Sequence, residues 1–343
     1  MKRLLNTLYV MTEGTYLARE RETVVVRQEK KTVLQVPIHG LDGIVCFGRV
    51  GCSPQLMGLC AERDVAVSFL SRTGRFWARV QGPVSGNVLL RREQYRRAGQ
   101  PEETAGIARA IVTAKVANCR TVLMRALRDR PDGSGVDDLR GGVSRLARVL
   151  RSVAGEQALD SVRGYEGEAA RAYFQVFDHL IVAQKADFTL AGRSRRPPLD
   201  NMNALLSFLY SLLAHDVASA LEGVGLDPAV GFLHRDRPGR PGLALDIMEE
   251  LRPVLADRLA LSLVNRQQVT PDGFHSSESG AVMMTDDTRR CVLKAYQERK
   301  ADEILHPYLN EKAPLGLVPH LQAMLMARHL RGDTDGYPPF IWK

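Results

Sequence analysis

Apolar residues keep one spacing up to about residue 83 and a different one beyond it, and this single change restricts the chain to folds in which a β-rich part precedes a helical part. In the first part the runs TYLARE, ETVVVRQ, KTVLQVPI, GIVCF and VAVSFLS are short and β-branched. Turn residues such as Glu13-Gly14 and Leu41-Asp42-Gly43 separate them, as expected of strands. One helix interrupts them: Ser53 suits an N-cap, Pro54 suits the first helical position, and QLMGLCAER follows. RTGRFW reads as a hairpin turn into a last strand. After GPVSGN (82–87) the segments 104–129, 141–177 and 203–221, and most of the C-terminal third, have helical periodicity, with a loop expected over 131–142. The fold class is α+β: a small β-rich N-terminal domain over residues 1–83, then a larger all-α domain over 84–343.

Within the helical part, RGYEGEAARAYF (163–174) places a charge where a core is expected. Ala169, Ala170, Tyr173, Phe174 and Phe177 form one apolar stripe at helical spacing, and Glu166 lies on that stripe. A carboxylate facing a core costs several kcal/mol unless a cation or a hydrogen-bond donor meets it, so Glu166 requires a counterpart.

A second region, FLHRDRPGRPGLALDIMEELRP (232–253), supplies candidates of matching chemistry. His234 precedes RDRPGRPG, which its glycines and prolines keep out of a regular helix. Helical spacing resumes in LALDIMEEL, with Leu243, Ile247 and Leu251 on one face. Asp246 and Glu249, three apart, project from one side. Carboxylates with one imidazole suit Mg²⁺ or Mn²⁺ better than a closed zinc site. Such an ion activates a hydroxyl nucleophile and offsets charge on a leaving oxygen. Taken singly, each residue has a plainer role: Glu166 paired with an arginine, His234 as polar surface, Asp246 and Glu249 as a solvated face.

Charge points the same way. The net charge is +8, and the window Arg72–Arg130 holds thirteen basic against four acidic residues. Arginine dominates it, and guanidinium forks match phosphate oxygens, so the window reads as a nucleic-acid footprint or, more simply, as a solvated face. Five cysteines without a CxxC pair argue for reduced, packed thiols and a cytoplasmic protein. No apolar run is expected to reach the roughly 20 residues of a membrane span.

GYEGEAARAYF, RSRRPPLDNMNALLSFLYSLL (193–213) and GLDPAVGFLHRDRPGRPGLALDIMEELRP (225–253) resemble, in order and spacing, the motifs of the CRISPR-associated integrase family. SGNVLLRREQYRR and the terminal YPPFIWK are similar to its subtype I-C branch. The resemblance implies a β-rich dimerisation domain, a helical catalytic domain, and a Mg²⁺ or Mn²⁺ site made by Glu166, His234 and Glu249, with Asp246 as an additional acid. It implies that a DNA 3′-hydroxyl attacks a phosphodiester at the edge of a CRISPR repeat, and that the protein also cleaves branched DNA. Its implied partners are double-stranded DNA, a second copy, a small ferredoxin-like CRISPR-associated protein that bridges two dimers into a hetero-hexamer, and a RecB-like iron–sulfur nuclease. Arg193, Arg195 and Arg196, before Pro197-Pro198, and Arg91, Arg92, Arg96 and Arg97 are the candidate phosphate contacts. A repair nuclease acting on junctions and a non-catalytic DNA-binding scaffold are the alternatives.

Overall fold

The computed structural model describes residues 7–41, 43–71, 76–80, 82, 88–194 and 197–342, and the chain divides into two compact units, Met1–Gly86 and Asn87–Lys343.

The first unit holds eight described strands: β1 (Thr7–Val10), β2 (Tyr16–Glu20), β3 (Thr23–Gln28), β4 (Lys31–Pro37), β5 (Gly43–Phe47), β6 (Gly51–Cys52), β7 (Ala66–Leu70) and β8 (Phe76–Val80). They form two sheets of order β1-β5-β7-β8 and β4-β3-β2-β6. In the first sheet β1, β5 and β7 run parallel and β8 returns antiparallel; in the second, β2, β3 and β4 form an antiparallel meander. Helix α1 (Pro54–Glu62) makes the crossover from β6 to β7. It starts as the sequence reading expects, with the Ser53 hydroxyl accepting from Leu56 N–H at 3.2 Å and Pro54 in the first turn. Val24, Ile44, Cys46, Leu56, Leu59, Cys60 and Val67 fill the core of this unit. Burial pushes the Cys46 and Cys60 thiols up to about 12 and Cys52 to about 11, so all three stay neutral at physiological pH. The turn expected at 72–75 lies outside the described residues.

The second unit is mostly helical: α2 (Val88–Ala98), α3 (Pro101–Asp129), α4 (Val136–Ala154), α5 (Leu159–Phe177), α6 (Asn201–Gly223), α7 (Gly242–Leu251), α8 (Arg258–Asn265), α9 (Asp286–Ala301) and α10 (Val318–Arg331). Two hairpins of three-residue strands, β9/β10 (Phe274–Ser276, Val282–Met284) and β11/β12 (Glu303–Leu305, Lys312–Pro314), accompany them. The loop expected over 131–142 ends earlier, because α4 already begins at Val136. Asp137 and Asp138 suit the positive end of that helix. Gly142 permits close packing on α5, since a Cβ there would lie 2.9 Å from Val176. The helical segment 141–177 is two helices broken at 155–158, where the Glu156 carboxylate accepts from the N–H groups of Gln157 and Ala158.

Helix α6 corrects one expectation. Its 23 residues, with a mean hydropathy of 1.5 in the most apolar stretch, are long and apolar enough to cross a membrane. Most of that stretch is buried inside the unit, however, and Asp216 on the same helix binds Lys300 at 2.8 Å and Tyr296 at 2.9 Å. These are the properties of a core helix.

Candidate metal centre

Three elements bring the candidate residues together. Helix α5 buries Val162, Ala169, Ala172, Tyr173, Val176 and Phe177, and Glu166 lies on that face, half-buried. The group that meets it is Lys115 of α3, whose ammonium donates to Glu166 Oε1 and lies 2.7 Å from Glu249 Oε2. Lys115 is itself buried, on a stripe that includes Ile111, Cys119 and Val122. Burial opposes its charge, yet Glu249 and Glu166 together hold its pKa above the ordinary lysine value.

Glu249 projects from α7, where every residue but Leu245 is buried. Its Oε1 accepts a 2.7 Å ion pair from Arg252 and faces His234 Nε2 at 3.9 Å. Burial pushes this carboxyl up, but Arg252, Lys115 and His234 outweigh it and bring its pKa down to about 2, so it is ionised at any physiological pH. Beyond Leu251 the helix widens into a π-turn over Arg252–Asp257, at the proline Pro253. This turn directs Arg252 to Glu249. It also buries Asp257, which accepts from the Tyr210 hydroxyl at 2.6 Å and which burial pushes up to about 6. A cavity of about 20 Å³, room for one water, lies between Lys115, Tyr173, Tyr210, Arg252 and Asp257.

His234 is held by Asp246, the additional acid beside the expected ligands. Asp246 Oδ2 accepts from Phe232 N–H (2.6 Å) and Leu233 N–H (2.9 Å), and Oδ1 from His234 N–H (3.0 Å) and its ring Nδ1 (2.6 Å). Both oxygens are thus fully engaged, and the imidazole is left with Nε2 directed at Glu249. The loop reaches Asp246 this closely because of two glycines. A Cβ at Gly231 would sit 2.6 Å from Asp246 Oδ2, and one at Gly242 would sit 2.6 Å from the Ala229 carbonyl.

Two carboxylates and an imidazole nitrogen form a hard-cation donor set. Glu249 Oε2 is buried and accepts no hydrogen bond of good geometry although a cation is beside it, which also fits a metal ligand. Among the described residues no three such donors already close on one point; the Lys115 ammonium stands between two of them.

The candidate phosphate contacts are placed unevenly. Arg96 and Arg97 pair with Glu93 at 2.7 and 2.8 Å and with Glu103 at 3.3 and 3.1 Å, so acids of α2 and α3 already meet their charge. Arg91 donates to the Gly225 carbonyl, and Gln94 clasps Asp227 and Val230, so α2 supports the start of the His234 loop. Arg92 is exposed. Arg193 turns inward, hydrogen-bonded to Asn203 and 5.1 Å from the Tyr210 ring. Arg195 and Arg196 lie outside the described residues.

Sequence reasoning missed Lys115, Arg252 and Asp257, and also Asn118. The Asn118 amide donates to the carbonyls of Glu250 and Phe340, and its oxygen accepts from Trp342 N–H, so the chain's last residues brace α7 from below.

The family model described as CRISPR associated protein Cas1 matches residues 8–298. The chain belongs to the Cas1 family. A relative from Rhodospirillum rubrum, named CRISPR-associated endonuclease Cas1 2, is 55% identical over 347 residues, covering all of both chains. The solved structure of a Cas1 protein from Thermotoga maritima shares the fold, with a TM-score of 0.82 at 24% identity over 97% of this chain and 98% of that one. So does the Cas1 portion of a solved Cas6-RT-Cas1–Cas2 complex, with a TM-score of 0.83 at 22% identity over 99% of this chain and 36% of that one. The Cas1 fold is thus the β-rich unit followed by the helical unit that carries Glu166, His234 and Glu249.

Proposed function

We propose that this chain is a Mg²⁺- or Mn²⁺-dependent DNA endonuclease and integrase that inserts short captured DNA into a CRISPR array by attack of a 3′-hydroxyl on a repeat phosphodiester. What carries the reading is the meeting of Glu166, Glu249 and an imidazole fixed by Asp246, drawn from α5, α7 and the loop between α6 and α7. A divalent ion, if held there, would supply Lewis acidity for phosphodiester attack by a hydroxyl. Glu166, Glu249 and His234 Nε2 would hold that ion, while Asp246 fixes the imidazole and Arg252 keeps Glu249 oriented and ionised. The name of the Rhodospirillum rubrum relative supports the nuclease class.

The assembly is part of the same reading. Strand β4 is a sheet edge whose Val33 and Leu34 are 53% and 46% exposed, which suits it to a contact with a second copy. A small ferredoxin-like partner that bridges two dimers into a hetero-hexamer rests on the motif resemblance, and the solved Cas6-RT-Cas1–Cas2 complex has Cas2 in its own assembly. A RecB-like iron–sulfur nuclease as end-trimming partner and the I-C branch rest on the motif resemblance, and a cytoplasmic location rests on the cysteine usage.

The test incubates protein, bridging partner, Mn²⁺ and a supercoiled repeat plasmid with duplexes ending in a 3′-hydroxyl or a dideoxynucleotide. Joined product from the hydroxyl duplex alone, lost with Glu166→Ala, His234→Ala or Glu249→Ala while DNA binding persists, is the expected result. Cleavage without joining would make the protein a hydrolytic junction nuclease, and binding without either reaction would make it a scaffold.

A further inference from the structure

Lys115 has no part in the function just described, although it is the residue in closest contact with the proposed ligands. It is a buried lysine on an apolar face of α3, its side chain 7% exposed. Such a charge is tolerated only where opposite charge surrounds it. Its ammonium lies between the carboxylates of α5 and α7, donating to Glu166 Oε1 and 2.7 Å from Glu249 Oε2. With Arg252 on the other oxygen of Glu249, two cations balance two carboxylates and the group is neutral.

A divalent cation held by Glu166 and Glu249 needs the same oxygens. If Lys115 stayed, four positive charges would face two negative ones in a buried site. The ammonium must therefore leave as the metal enters, and a displaced buried cation needs a new acceptor. The small cavity beside Lys115 provides one, because Asp257 lines it too, anchored there by the Tyr210 hydroxyl at 2.6 Å.

We infer that Lys115 is a built-in counter-cation: it bridges Glu166 and Glu249 while no metal is bound, then yields that place by swinging through the cavity toward Asp257. The inference rests on the metal reading above. The ammonium holds the two ligand carboxylates together in the metal-free protein, and its displacement lowers the affinity for the ion.

The experiment measures Mn²⁺ binding to the full chain without DNA, by calorimetry and by the paramagnetic resonance of free Mn²⁺, together with the melting temperature in chelator and in saturating Mn²⁺. Lys115→Met should bind Mn²⁺ roughly tenfold more tightly or better, because a like charge has gone from the site. It should melt below the wild type in chelator and recover in Mn²⁺. Lys115→Arg, which keeps the charge, should gain no affinity. Asp257→Asn should bind Mn²⁺ more weakly than the wild type in the Lys115 background and unchanged in the Lys115→Met background. This variant keeps the idea testable should Lys115→Met fail to fold. Wild-type affinity in Lys115→Met, or an Asp257→Asn effect that persists without the lysine, would overturn the inference while leaving the metal reading intact. Absence of Mn²⁺ binding by every protein would overturn both.

Discussion

His234 meets one oxygen of Asp246 twice, through its backbone N–H at 3.0 Å and its ring Nδ1 at 2.6 Å. Backbone and side chain are therefore fixed by one carboxylate, which also accepts from Phe232 and Leu233. Asp246→Asn would turn an amide NH₂ toward at least one of these donors. Loss of such a partner to a metal-bound histidine typically costs about 10- to 100-fold, and strand transfer should fall by that order. Glu249→Gln, which alters a proposed ligand, should lose more. Kinetics of both variants in Mn²⁺ check the order, and a reversed ranking would mean that Asp246 is the ligand.

The exposed β4 edge should matter for assembly and not for folding. Val33→Asp with Leu34→Asp should leave the melting temperature within a few degrees and shift the protein from dimer to monomer in sedimentation. A dimer that survives both charges would place the contact elsewhere.

Acid stability should depend on His306. Burial holds its pKa below the ordinary histidine value. The ring accepts from Leu309 N–H at Nδ1 (3.2 Å), so Nε2–H donates to Gln322 (3.1 Å), which in turn donates to Glu250. The unfolded chain thus binds this proton more readily than the folded one. Stability rises with pH up to the unfolded histidine value of about 6.5 and is lost as pH falls below it. His306→Asn should flatten the dependence of melting temperature between about pH 7 and 5. An unchanged slope would show that His306 charges without penalty.

The basic window should contribute less to DNA affinity than its composition suggests. Arg92→Gln should reduce the slope of log K against log salt by about 0.9 if it neutralises one duplex phosphate. Arg97→Gln should leave the slope nearly unchanged and lower stability, because it strips Glu93 and Glu103 of a partner. Equal slope changes in the two variants would restore the footprint reading for all of α2.

Where chain-local physics decides the outcome, the sequence was legible. The β-branched runs became β2 to β5 and β7, Ser53 capped α1, and the motifs marked the helices and loop that meet at the site. Strand β1 was missed because its four residues are too short a run to stand out and their pairing with β5 is a tertiary fact. Lys115 carried the same signal as Glu166, a charge on an apolar stripe, but it sits in an arginine-rich window that reads as surface. Its role depends on where α5 and α7 bring their carboxylates, as does the clasp of Asp246 on the His234 loop. The bracing by Trp342 and Phe340 leaves no periodic trace at all.

The central claim is that Glu166, His234 and Glu249 hold a divalent cation. Crystals of the protein soaked in Mn²⁺ and measured above and below the manganese absorption edge address it directly. The account predicts one anomalous peak touching Glu166, Glu249 and His234 Nε2, with the Lys115 ammonium moved off the carboxylates, and no peak there in Glu166→Ala crystals. Full manganese occupancy elsewhere, with Lys115 still bridging Glu166 and Glu249, would contradict it.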